Sequence, residues 1–491
     1  MNSIKSIFFG LTLSLCASVQ AQVIDYFNQI KTDPNALYTF LKTMPKGGEL
    51  HYHLAGGPYP ETLLELVSQT DYCLNSNTLA VSKDTTSCDG VNTKELMGKP
   101  DLYSSVIKSW SMKDFIPGEE SGHDHFFNGF IKYMPIVFDF RPQLLADVMR
   151  RAAAQNEQYL EIMDIPDNAN SLKFGNLIQH IHSFDKKRQK LLADPEFQKN
   201  VSLTVSKSEQ MIQESRTALG CDKNATAKAC SVKINLLYYV LREQPPNTLF
   251  AQALNAFEAV SQSKNALVGV NLVQPEDGII SLRDYHKQMK VFQYLHKLYP
   301  QVKVSLHAGE LTLNGATPKD LSNHIHDALF TAHALRIGHG VDIAYENEAE
   351  ASLKYMAEQH IPVEINLVSN EKILNVTNKN HPLNYYLSHN VPVVLSTDDE
   401  GILRTDLTSQ YVKAVIEHGL DYQTLKNINR NTLTYAFVPG KSIWTNAAKN
   451  QLRKECLDLN SKTCHQFIKE NEKAQLQWNL EQKLKVFESK Y

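Results

Sequence analysis

Short apolar runs recur along the chain, each ending in polar or charged residues. They are Glu49-Leu-His-Tyr-His-Leu54, Tyr159-Leu-Glu-Ile-Met163, Val232-Lys-Ile-Asn-Leu-Leu-Tyr-Tyr-Val240 and Leu267-Val-Gly-Val-Asn-Leu-Val273. The series continues with Val302-Lys-Val-Ser-Leu306, Leu335-Arg-Ile-Gly338, Val363-Glu-Ile-Asn-Leu367 and Val391-Pro-Val-Val-Leu395. Runs this short and this apolar predict strands covered on both faces. The last six begin at residues 232, 267, 302, 335, 363 and 391, a spacing of about 30 residues, the size of one strand–helix repeat. Between two of them, Ser281 to Leu298 carries Val291, Tyr294, Leu295 and Leu298 at helical spacing. Eight such units predict an α/β chain folded as a single (β/α)8 TIM barrel. An open doubly wound sheet is the alternative that the pattern leaves.

The first two gaps are much longer than the rest. Insertions are therefore expected at about residues 58–125 and 165–231 of a barrel spanning 44–442. The segment 443–491 is expected to be helical and peripheral, and 22–43 to be an N-terminal helical extension. Residues 1–21 read as a secretory signal peptide: Lys5, then the 13-residue apolar run Ile7 to Val19, then Val19-Gln20-Ala21 as a cleavage site. A membrane anchor would need about 20 apolar residues, so the expectation is an exported protein, periplasmic or extracellular, without a stable anchor.

Cysteine usage fits that compartment. Outside the leader six remain, in three close pairs: Cys73 and Cys88, Cys221 and Cys230, Cys456 and Cys464. An even count in an exported chain reads as disulfides. Fifteen pairings are open in principle, and local pairing, which closes the least chain, is favoured. The balance of 50 Lys+Arg against 53 Asp+Glu argues against a partner bound through phosphate neutralisation, such as a nucleic acid polymer.

Candidate chemistry lies at the strand ends, where a barrel builds its site. His51 and His53 are two residues apart on a strand and face one side. Run five ends in His307-Ala-Gly-Glu310, run six in Gly338-His339-Gly340, and run eight in Ser396-Thr-Asp398-Asp399. Several imidazoles and a carboxylate from separate strands suit a divalent metal, zinc first, with a position left for water. Each element alone is ambiguous: Asp398-Asp399 would serve as a helix cap, and Gly338-His-Gly340 as a turn. His123 and His125 lie off any strand end and read as surface or helix-start residues.

Met44-Pro-Lys-Gly-Gly-Glu-Leu-His-Tyr-His-Leu54, Leu306-His-Ala-Gly-Glu310, Arg336-Ile-Gly-His-Gly340 and Ser396-Thr-Asp-Asp399 together resemble the motifs of adenosine deaminases in the amidohydrolase superfamily. The N-terminal extension and the Cys73 to Cys88 insertion are similar to those of its exported, growth-factor-related branch. The resemblance implies one zinc ion per chain held by His51, His53, His307 and Asp398. It implies that water is directed at C6 of a purine nucleoside beside His339, that Glu310 protonates ring N1, and that Asp399 binds N7. Inosine and ammonia would be the products from adenosine, with deoxyadenosine a related substrate. Homodimerisation through the N-terminal arm is implied on the same ground. Two departures bear on specificity. The family's Asp after His-x-His-Leu, which helps to hold the sugar, is Ala55. Its Gly that meets purine N3 is Gln274, in Asn271-Leu-Val-Gln274-Pro-Glu276. Loss of the sugar-end carboxylate opens the expectation to 5′-modified adenosines. A different amidohydrolase substrate and a non-catalytic nucleoside-binding or signalling protein are the competing readings. The presence of Glu310 and all four ligands counts against the last.

Overall fold

The computed structural model describes residues 21–83, 85–86, 88–447 and 449–491. The expected leader thus lies, but for Ala21, outside the described residues. Eight parallel strands form one sheet in sequence order: β1 (Lys46–His53), β2 (Glu157–Asp164), β3 (Lys233–Leu241), β4 (Leu267–Val273), β5 (Lys303–Ala308), β6 (Arg336–His339), β7 (Val363–Ile365) and β8 (Val393–Leu395). Each of the eight apolar runs contributes one strand. The sheet closes where Tyr52 bridges Asp398: the His53 N–H donates to the Asp398 carbonyl at 2.9 Å, and the Asp398 N–H to that of His51 at 3.2 Å. The result is a (β/α)8 barrel, not the open sheet. Closure also brings the first and last candidate motifs side by side.

The intervening helix Ile279–Leu298 buries Val291 and Leu295 as its spacing predicts, but leaves Leu298 40% exposed at the helix end. All three local cysteine pairs are joined as disulfides: Cys73–Cys88, Cys221–Cys230 and Cys456–Cys464. The first ties down a small antiparallel sheet of Cys73–Asn75, Val81–Ser82 and Gly90–Asn92.

At the N-terminal side, helix α1 (Pro34–Thr43) is capped by Asp33, whose carboxylate accepts from the Asn35 and Ala36 amides. It buries Leu37, Phe40 and Leu41. Phe40 meets Phe487 of helix α3 (Glu472–Glu488) and the ring of Tyr491. The C-terminal segment is not wholly helical: it opens with an antiparallel hairpin of Trp444–Asn446 and Gln451–Leu452. Strands of two or three residues carry too little alternation to register as a pattern.

The long helix α2 (Gly122–Ala154) begins at Ser121, whose hydroxyl accepts from the Asp124 amide, and kinks at Phe140, two residues before Pro142. Its first turns lie over the mouth of the barrel. No helix among the described residues is long and apolar enough to cross a membrane.

Candidate functional site

At the C-terminal mouth, His51, His53, His307 and Asp398 each direct one ligand atom into a group whose members lie within 4.8 Å of one another. His53 Nε2 is 3.2 Å from His307 Nε2 and 3.2 Å from Asp398 Oδ1, and His51 Nε2 is 3.3 Å from that same oxygen. The four come from β1, the end of β5 and the loop after β8, so no local stretch of chain builds the group.

The partners behind these side chains fix which nitrogen faces inward. His51 Nδ1 lies 2.8 Å from Glu364 Oε2, and His307 Nδ1 lies 2.9 Å from Asn271 Oδ1. Both acceptors hold the ring proton on Nδ1 and leave the Nε2 lone pair toward the cluster. Ser369 donates to Asp398 Oδ2 at 2.7 Å. Glu364 is in turn held by Ser305 and by Arg336, whose guanidinium also pairs with Glu161 and lies 3.8 Å over the Phe437 ring. Burial pushes the Glu364 carboxyl up, but Arg336 and His51 outweigh it and hold it at about 2.

These donors fit a divalent cation. His51 Nε2 is fully buried and has no hydrogen-bond partner, a costly state for an imidazole nitrogen unless an ion meets it. Burial, with His51 and His53 adjacent, pushes His307 well below its usual range. Burial raises Asp398, but the imidazoles of His51 and His53 reverse this and hold it well below the carboxylate range. The neutral imidazole of His307 and the ionised carboxylate of Asp398 are protonation states that a metal requires. Burial lowers His51, but Asp398 and Glu364 outweigh it and hold it at about 10, a proton that a bound ion would displace.

Beside this group stand Glu310, His339 and Asp399. Glu310 Oε1 lies 3.7 Å from His339 Nδ1, and His339 Nε2 lies 3.9 Å from Asp398 Oδ2. The His339 ring is held by the Asn370 amide at 2.9 Å, itself held by His381 at 3.0 Å. Burial pushes Glu310 well up, reinforced by the carboxylates of Asp398 and Glu276. Burial and then Asp398 push Asp399 up likewise; its Oδ1 is buried without a partner. Gly56 makes room for that carboxyl: a Cβ there would come within 1.9 Å of Asp399 Oδ1.

Backbone strain gathers at the same place. His339 and Asp398 both have φ of 66°, and Gln274 has φ of 86°. Non-glycine residues in this region mark functional sites more often than chance. Gln274 thus keeps a glycine-like backbone, while its side-chain oxygen accepts from the Glu243 amide at 2.9 Å. His123 and His125 do start a helix, but His123 also reaches across the mouth, with Nε2 3.0 Å from Asp277 Oδ1.

All the candidate residues except His51 line one cavity of about 410 Å³, with Ala55, Gln274, Tyr239 and a face of α2. His51 lies directly beneath. Residues to which the sequence reading assigned no role are Glu276, Glu364, Asn271, Ser369, Asn370 and His381. Of these, Glu364 carried a signal: a carboxylate inside a run that must be buried on both sides. Glu276 accepts the backbone amides of Gly309 and Glu310 at 3.0 and 2.9 Å, and meets His324 Nδ1 at 2.6 Å.

The family model described as adenosine deaminase matches residues 144–452, more than half of the chain. The chain belongs to the adenosine deaminase family. It is 24% identical over 409 residues to an adenosine deaminase-like protein of Caenorhabditis elegans, covering 81% of each chain. To an adenosine deaminase of Klebsiella pneumoniae it is 34% identical over 136 residues, 28% of this chain and 38% of that one. Among solved structures, Arabidopsis ADAL in complex with IMP superposes with a TM-score of 0.55 at 18% identity, covering 91% of this chain and 99% of that one.

Proposed function

We propose that this protein is a zinc-dependent hydrolase that converts adenosine and related 6-aminopurine nucleosides, deoxyadenosine among them, to the inosine-type product and ammonia. One observation carries this reading: a buried three-histidine, one-aspartate cluster and a proton-holding Glu310 open into the same cavity. The curated relatives named adenosine deaminase support it.

His51, His53, His307 and Asp398 would hold the ion. Zinc bound there supplies Lewis-acid activation of water at neutral pH. Glu310, protonated because it is buried, donates to ring N1. The ring loses aromaticity and C6 becomes electrophilic. His339, whose Nδ1 accepts from the Asn370 amide, carries its ring proton on Nε2 and orients the attacking water by donating to it. Asp399, its carboxyl raised by burial, donates to N7 and sets the ring plane. The water oxygen bonds to C6, the water gives one proton to the departing amine and one back to Glu310, the C6–N bond breaks, and ammonia leaves. Gln274 meets the purine edge through its backbone.

Export fits the three disulfides, with the leader removed after Ala21 and the barrel carrying its extension, insertions and tail at the expected boundaries. A second copy through the N-terminal arm belongs to the same reading.

Zinc-loaded protein incubated with adenosine tests this. Stoichiometric ammonia and the ultraviolet change to inosine, both lost on chelation and restored by zinc, are expected. Metal-replete protein that binds adenosine without converting it would make the protein a nucleoside-binding one instead.

A further inference from the structure

The cavity is divided by chemistry. Its imidazoles and carboxyls, His53, His307, Glu310, His339, Asp398 and Asp399, all come from strand ends. A wall of Phe126, Phe127, Phe130, Ile131 and Met134 from α2 lines it as well. These positions recur at helical spacing and therefore share one face of the helix. The wall is fixed in place. At its start, His123 pairs with Asp277 after β4. Further along, Phe130 and Phe126 stack edge to face at 5.2 Å.

No lysine or arginine lines the cavity among the described residues. Arg242 lies outside this lining, fully buried, with Nη2 bonded to the carbonyls of Leu272 and His307 and Nη1 3.7 Å from Glu276. Three carboxyl groups do line it. A phosphate against the α2 wall would be buried among apolar side chains with no cation to pair it, a strongly unfavourable burial. Ala55 stands in the same lining and offers a sugar hydroxyl nothing to bond.

We propose that the α2 wall receives an uncharged apolar group at the end of the substrate remote from C6, so that the preferred substrates are 5′-deoxy-5′-alkylthio adenosines and 5′-nucleotides are excluded. This inference rests on the deaminase reading above and narrows its substrate class. A hydrophobic pocket gains about tenfold or more from one additional buried methylene-sized group, whereas an unpaired 5′ hydroxyl against the wall gains nothing.

The zinc-loaded full chain is assayed for kcat/KM on adenosine, 5′-deoxy-5′-methylthioadenosine and AMP. The methylthio nucleoside is expected to exceed adenosine at least about tenfold, and AMP to fall at least about a hundredfold below it. Ile131 is 73% exposed at the rim, so Ile131→Lys is compatible with folding. That variant should lower the methylthio-to-adenosine ratio and raise the AMP-to-adenosine ratio. Adenosine turnover with a smaller methylthio preference, or with AMP accepted comparably, overturns the inference and leaves deamination standing. Turnover of none of the three would remove the deaminase reading instead. The rise in melting temperature with each compound then decides the wall alone: a larger rise with the methylthio nucleoside than with adenosine supports it, and an equal or smaller one overturns it.

Discussion

One carboxylate oxygen of Glu276 accepts the backbone N–H of Glu310 at 2.9 Å, and the other accepts that of Gly309 at 3.0 Å. The side chain assigned to proton donation therefore stands on a stretch of backbone clamped by a buried anion. Glu276 is itself held by His324, which stacks on Tyr285 with ring centroids 3.6 Å apart, and by Arg242. Burial raises Glu276, but His324 and Arg242 reverse this and hold it at about 2, so it stays ionised throughout the neutral range.

Glu276→Gln keeps the size of the side chain but turns one acceptor into a donor facing an amide N–H. The Glu310 loop loosens. Since small misplacements of a catalytic group cost heavily, kcat should fall about tenfold to a hundredfold, with KM changing much less. Steady-state kinetics on metal-replete protein check this. A change confined to KM would assign Glu276 to binding.

The pH profile follows from the same pair. Glu310 must carry a proton to give one to the ring. Burial, then the carboxylates of Asp398 and Glu276, push it well above the usual range. In the proposed mechanism the active form is the protonated one. Activity should therefore hold through neutrality and be lost as pH rises through the raised pKa. Glu276→Gln removes one of those charges, so its alkaline limb should move to lower pH than that of the wild type. A limb that stays in place would separate Glu276 from the proton donor electrostatically.

Glu364 orients His51 from outside the cluster at 2.8 Å. Loss of such an outer partner typically costs about tenfold to a hundredfold in metal affinity. Glu364→Gln should weaken zinc binding by that order, read by chelator competition. It should also lower the melting temperature, because Arg336 loses one of its two buried counter-charges. Unchanged zinc affinity would make Glu364 a structural residue only.

Much of this was legible from the chain itself. Parallel strands covered on both faces read as continuous apolar runs, and all eight appeared. The residues at their ends, His51, His53, His307, Glu310, His339, Asp398 and Asp399, stood out because charge is costly next to such runs. What remained hidden depends on long-range packing. Asn370 and His381 lie eleven positions apart in polar sequence and acquire meaning only when one ring reaches His339. Glu276 was visible as part of a departure at Gln274, but its grip on the Glu310 amide is a contact between loops more than thirty residues apart. Of helix α2 the sequence marked only its start, at His123 and His125. Only the closed barrel shows that one face of it walls the cavity.

The central claim is that Glu310 protonates the ring beside a metal held by three histidines and Asp398. The most direct test is the deamination rate of metal-replete Glu310→Gln on adenosine against the wild type at equal zinc content. A loss of at least about a hundredfold is expected, as for removal of a general acid, with zinc still bound. A variant that binds zinc and retains most of the wild-type rate would contradict that claim.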